Sequence, residues 1–264
     1  MNPPGQHYDK PALNESELIE RGIERGLIIT DRNRATRYLR HIGYYRLSPY
    51  TIPFQADRTT HSFRPGTTFD DILYIYVFDR QLRLLTIDAL ERVEVAVRAA
   101  VSNTMSTHGE GGAFWYQNAS NYQSRKGYST TIERIEALTG RERQRTASDR
   151  GEQADHLHYP DALSHYLATY SSPATPPSWL VIELLTAGEL QHLYASLAPK
   201  YRKTIAREIN LPDQVLQSWL KTYVRVRNIC AHHGRLWNRF LGVYPAIPRS
   251  PTVRWLTDRS TFDT

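Results

Sequence analysis

Apolar residues recur along this chain at spacings of three and four, a period that predicts helices nearly throughout. Asn14-Glu-Ser-Glu17 reads as a capping box, in which each end residue satisfies a backbone N–H of the other, and it opens a short helix carrying Leu18, Ile19 and Ile23. Asp31 is expected to cap a second helix, with Ala35, Tyr38, Leu39 and Ile42 on its apolar face and Gly43 as its stop. The next stretch, YYRLSPYTIPF from Tyr44 to Phe54, holds two prolines and is predicted to be extended or turned. Thr68-Phe-Asp-Asp71 is a further capping box, after which helical periodicity persists without Gly or Pro to about Met105. Ile72, Ile75, Leu82, Leu85, Ala89, Val93, Ala96 and Ala100 are expected to form one stripe of this scaffold helix. Glu91 and Glu94, near Arg92 and Arg98, are expected to form ion pairs on its solvated side.

The middle of the chain is less regular. Thr107 to Ser124 mixes glycines with aromatics, and Thr139 to His158 is nearly devoid of apolar residues, so it is expected to be a flexible or projecting insertion. A helix is predicted from Asp161 to Tyr170. Ser178 is expected to cap WLVIELLTA, with Gly188 ending that helix, followed by helices over Glu189–Leu197 and Lys200–Ile209. Pro212-Asp213 opens the last helix, with Leu216, Trp219, Leu220 and Tyr223 at helical spacing. The fold class is therefore all-α, in a single domain over residues 1–264 with a flexible segment at 139–158 and a loose tail at 240–264.

Composition narrows the function. A hydrophobic fraction of 40% suffices for a packed core, and a mean hydropathy of -0.54 marks a soluble chain. No run reaches the roughly 18–20 apolar residues of a membrane span, and the first residues have neither the basic nor the apolar region of a signal peptide. A single cysteine, Cys230, excludes an internal disulfide and fits a reducing cytoplasm. The net charge is +6, with arginine far outnumbering lysine. Guanidinium forks grip phosphate through two donors at once, which tilts the expectation toward a phosphate-bearing partner.

The candidate chemistry lies in VRNICAHHGRLWNR, Val226 to Arg239. Arg227 and His232 stand five positions apart, which on an ideal helix separates them by about 140° around the axis. They do not share a face as i,i+4 ligands would, so either the helix ends near His232, with Gly234 as its cap, or the two residues line a cleft completed by a second helix or subunit. The bland alternative is that Arg, Asn and His at a helix end merely cap carbonyls and bind carboxylates.

RNICAH resembles the Arg-Asn-x-x-x-His motif of HEPN-superfamily ribonucleases. Together with GYYRLSPY, FDRQLRLLTIDALERVEVAVR and PPSWLVIELLTAGEL, the extended motif resembles the Abi family of bacterial abortive-infection proteins, of the AbiD/AbiF type, from about Leu18 to Asn238. The resemblance implies a HEPN-type helical bundle with additional N-terminal helices. It implies a bacterial, cytoplasmic endoribonuclease in antiphage defence that works without a metal or other cofactor, usually as a homodimer with two motifs facing one another. It also suggests restraint by a cognate protein or a small structured RNA.

RNA carries its own nucleophile, the 2′-hydroxyl beside the scissile phosphate, so the protein need supply only proton transfer and charge stabilisation. An imidazole titrates near ~6.5 and suits the first task, which falls to His232. Arg227 cannot lose its proton and suits the second. Asn228, one i,i+4 step before His232, can support the imidazole or a backbone group. The expected products carry 2′,3′-cyclic phosphate and 5′-hydroxyl ends. His233 is either a supporting imidazole or structural. Arg235 and Arg239 either clamp RNA phosphates or complement the helix C-terminus. Tyr44 and Tyr45, with Arg46 beside them, either stack on single-stranded bases or plug the core. Glu189-x-x-His192 has the spacing of one half of a di-iron site but lacks its second half. The rival to the nuclease is a non-catalytic RNA-binding or scaffolding protein of a defence or toxin–antitoxin system.

Overall fold

The computed structural model describes residues 11–149 and 161–248, without the side chains of 145–149. Its secondary structure is helical, with isolated bridges and no strand among the described residues. The chain divides into two compact units, Met1–Ile87 with Ile229–Arg239 and Asp88–Asn228 with Phe240–Thr264.

The first unit contains α1 (Glu15–Glu24), α2 (Arg32–Ile42), α3 (Tyr44–Thr51), a 3₁₀ turn (Ile52–Phe54) and the first half of α4 (Phe69–His108). Its helix starts follow the local chemistry. Asn14 and Glu17 form the reciprocal box at α1, Asp31 accepts from the Arg34 N–H at α2, and Thr68 and Asp71 exchange bonds at the head of α4. Ile19, Leu39, Leu47, Tyr50, Phe69 and Ile72 form the apolar centre of this unit.

The stretch from Tyr44 is helical rather than extended, despite Pro49 inside it. The proline removes the N–H that the Tyr45 carbonyl would receive, and Ser48 Oγ donates to that carbonyl instead, at 3.2 Å. Burial of Leu47 and Tyr50, three apart on one face, supplies the packing that a local proline signal cannot express.

The inward face of α4 also differs from the apolar stripe. Ile72 and Ala100 are buried as expected, but Leu85, Ala89 and Ala96 are exposed. Asp79 and Arg83 occupy the inward face instead, and Val97, Val101 and Met105 continue it. A count of apolar residues assigns a buried ionic pair to the solvent side, and the apparent stripe is displaced as a result. Glu94 and Arg98 depart from expectation for the same reason: their side chains are only 21% and 11% exposed.

The second unit holds the rest of α4, α5 (Arg125–Asp149), α6 (Ala162–Thr169), α7 (Ser178–Leu184), α8 (Ala187–Ser196), α9 (Pro199–Glu208) and α10 (Asp213–Ala231) up to Asn228. Val97, Met105, Trp115, Tyr194, Ile205 and Leu216 belong to its core. α7 stops at Leu184, and Gly188 lies inside α8, because Thr186 and Glu189 build a capping box that starts a new helix there. Burial raises the carboxyl pKa of Glu189, but hydrogen bonds from Thr186 and the Arg134 guanidinium outweigh it and hold the group low. The polar segment from Thr139 is helical in its described part, since α5 runs to Asp149; 150–158 lie outside the described residues. The start of the expected loose tail is pinned to α10, where Trp219 Nε1 donates to the Ala246 carbonyl at 2.8 Å and Ser218 Oγ accepts from the Ala246 N–H at 2.8 Å. Residues 249–264 lie outside the described part.

Candidate functional site

α10 ends at Ala231, and two backbone bonds close it. The Gly234 N–H donates to the Ile229 carbonyl at 2.8 Å and the His233 N–H to the Cys230 carbonyl at 3.0 Å, the six-to-one and five-to-two pair of a Schellman turn. His232 is therefore the C-cap. His233 takes the left-handed position just beyond it, with φ 56, where glycine is commonest. Gly234 comes one place later than a cap glycine would. A Cβ there would stand 3.3 Å from the Ile229 carbonyl oxygen, so close approach explains the glycine. His232 and His233 are exposed, and neither imidazole has a hydrogen-bond partner among the described residues. Cys230 is buried behind them, and burial pushes its thiol up, away from the reactive thiolate.

The chain beyond the cap is gripped by its own unit. Arg46 Nη1 donates to the His233 carbonyl at 2.7 Å, and Arg235 Nη1 to the Pro49 carbonyl at 2.9 Å. Arg239 donates to the Arg235 carbonyl at 3.4 Å. Asp79 Oδ1 accepts from the Trp237 N–H at 2.6 Å and the Leu236 N–H at 3.2 Å. Its Oδ2 accepts from the Tyr50 hydroxyl at 2.5 Å and from Arg83. Burial, then the hydrogen bond to Asp79, pushes the Tyr50 phenol up to about 12.

Arg46 and Arg235 thus have structural bonds, yet a guanidinium has five N–H donors and each keeps others for a ligand. Tyr44 and Tyr45 contact edge to face with centroids 5.6 Å apart, and Tyr45 is 78% exposed. They line a cleft of about 1570 Å³ in the first unit, together with Arg21, Arg25, Arg40 and Phe63. The motif YYRLSPY therefore splits its aromatics, with Tyr44 and Tyr45 on the cleft and Tyr50 in the core.

Arg227 is placed by the second unit. Its Nε stands 3.9 Å from Glu94 Oε2, and its side chain is 40% exposed. Glu94 Oε1 also accepts from Arg98 Nη2 at 2.6 Å. Arg98 in turn donates to the Leu185 carbonyl at 2.5 Å and to the Ile182 carbonyl, closing the C-terminus of α7. Glu94, Arg227, Leu220 and Tyr223 border a notch of about 20 Å³, room for a single water. Asn228 is exposed, and its side chain bonds to no described residue. Glu94 and Asp79 are the two functional candidates that the sequence pattern missed. Each has an arginine four residues later as its only local signal.

With this geometry in hand, the model of the Abi-like protein family matches residues 37–238, more than half of the chain. The chain belongs to that family. No curated protein and no solved structure matches it. In this Abi-like protein the matched span contains the whole of α3, Asp79, Glu94 and the motif from Arg227 to Arg235, and stops one residue before Arg239. Family membership points to abortive infection, a form of defence. No described helix of the Abi-like protein is long and apolar enough to cross a membrane.

Proposed function

We propose that this Abi-like protein is a metal-independent endoribonuclease of HEPN type acting in antiphage abortive infection. The supporting observation is that His232 is an exposed, unpartnered imidazole fixed at a helix cap, five residues after a partly exposed Arg227. In this mechanism His232 transfers protons at the 2′-hydroxyl and at the leaving 5′-oxygen, and Arg227 stabilises the charge that develops on the phosphate. Asn228 supports the imidazole, and His233 assists. Arg235 and Arg239 hold flanking phosphates, and Tyr44 and Tyr45 receive unpaired bases at the arginine-lined cleft, with Arg46 next to them in the chain adding a cation. The partners are RNA, including a small structured regulatory RNA, and a second copy of the chain that brings an opposing motif. The exposed apolar residues Tyr74, Phe78, Leu84 and Leu85 of α4 give the second copy a surface to cover. The setting is the bacterial cytoplasm.

The test is end-labelled RNA incubated with wild type and His232→Ala in EDTA. Cleavage by wild type alone, leaving 2′,3′-cyclic phosphate, is the expected result; a His232→Ala protein that cleaves as well as wild type refutes it. The Glu94 carboxylate beside Arg227 favours a second role, a non-catalytic RNA scaffold in which Arg227 is simply ion-paired. Binding without cleavage by either protein would select that one. Sedimentation of the active species as a monomer would exclude the homodimer.

A further inference from the structure

Asp79 is the one carboxylate in the described part of the first unit that is wholly buried, and it sits on α4, far in sequence from the motif. Its two oxygens have largely different partners and share only the Leu236 N–H, at 3.2 and 3.3 Å. Oδ2 meets Tyr50 and Arg83, both buried, and the two donors are themselves joined at 3.2 Å. Oδ1 meets two consecutive backbone N–H groups, those of Leu236 and Trp237. An apolar pair at 79 and 83 could pack α4 as well, since a buried ion pair often adds nothing over hydrophobic residues of equal volume. An apolar pair could not accept two N–H groups from an irregular segment. Those groups lie four and five residues beyond His232.

The turn of His232 and His233 is therefore held at backbone level from both sides. The Schellman bonds to Ile229 and Cys230 fix it upstream. Asp79 fixes it downstream, and Arg46 on the His233 carbonyl and Arg235 on the Pro49 carbonyl brace the span between. Only the imidazoles are left without bonds. Backbone fixed and side chains open is the arrangement a preorganised site requires, because supporting bonds restrict the orientation of the acting group while leaving it accessible.

We infer that Asp79 is a positioning residue for the histidine turn, acting through the Leu236 and Trp237 amides, with Arg46 as its auxiliary. This inference rests on the ribonuclease function proposed above for its catalytic consequence, but its structural half can be read without any activity. Asp79→Asn nearly preserves volume, yet its amide group sets N–H donors against Arg83, Tyr50 or the loop. Arg46→Met retains the aliphatic stem of an exposed side chain and removes the bond to His233 together with the charge offered to RNA, so folding is not at stake there.

Both full-length variants would be followed by hydrogen exchange and by imidazole NMR, and then by RNA cleavage. Trp237 amide exchange at least about tenfold faster in Asp79→Asn is expected, with shifted His232 and His233 resonances in both variants and core amides of the second unit unchanged. In cleavage, kcat is expected to fall at least about tenfold for Asp79→Asn with KM within about twofold, and severalfold for Arg46→Met, whose KM rises as well because its RNA contact is lost. Unchanged imidazole resonances in a folded Asp79→Asn protein would overturn the inference. So would an Arg46→Met protein that raises KM alone, since that is the signature of a lost phosphate ligand. Wild type that binds RNA but never cleaves would sink the ribonuclease function, while the exchange and NMR outcomes would still decide the positioning role.

Discussion

α4 carries two carboxylate–arginine pairs of identical spacing, Asp79–Arg83 in the first unit and Glu94–Arg98 in the second. Each places the acid one turn before the base, the favourable order along a helix. Their roles are inverted. In the first pair the carboxylate is the hub and collects backbone N–H groups; in the second the guanidinium is the hub and reaches the carbonyls at the end of α7. Water also separates them: the Asp79 side chain is 0% exposed, whereas that of Glu94 is 21% exposed and faces Arg227. The i,i+4 rule thus identifies a pair and says nothing of which member the rest of the fold uses.

The comparison breaks most sharply at Asp79. Asp79→Ala strands a buried guanidinium and two amides, and about 3–5 kcal/mol of unfolding free energy should vanish in urea titrations. A loss below about 1 kcal/mol would mean that Arg83 finds water and that the first pair is no drier than the second. The next effect is alkaline. The Tyr50 phenol keeps its proton to about pH 12 in the fold, against ~10 in an unfolded chain. The folded state then binds the proton more tightly, so this stabilisation is complete below pH ~10 and is lost as pH rises through about 12. Tyr50→Phe should reduce the slope of stability against pH in that window; an unchanged slope would detach Tyr50 from the buried pair.

At the wetter pair the expected effects shrink. Glu94→Gln retains an acceptor for Arg98 and removes the charge facing Arg227, so stability should fall by less than about 1 kcal/mol. RNA retention at low salt should rise severalfold as Arg227 loses its internal counter-ion, and a fall in retention would show instead that Glu94 orients Arg227 for its ligand. The smallest effect has the opposite sign. His233→Gly places the residue preferred for positive φ at the turn and should raise stability by up to ~1 kcal/mol in thermal denaturation. A loss would mean that the imidazole makes a contact worth more than the strain it imposes.

What could be foreseen from the residues follows from how local each cause is. The starts of α1, α2 and α4 were legible because an N-cap, with or without the reciprocal bond of a capping box, is settled within four residues. The all-α class followed from periodicity over long windows. The helix at Tyr44–Thr51 was not legible, because Pro49 is a local signal overridden by the burial of Leu47 and Tyr50. The candidate motif was visible as residue types, but its supports came from far along the chain. Arg46 and Asp79 reach the segment after His232 over more than 150 positions, as their separations of 187 and 158 from His233 and Trp237 show. No spacing rule spans such a gap.

The division between the two compact units falls between Asn228 and Ile229, inside RNICAH itself. Arg227 and Asn228 belong by their contacts to one body, and His232 to the other. Dissection of this chain into separately expressed halves would therefore cut its most informative hexapeptide in two, and neither fragment could report on what the intact sequence does.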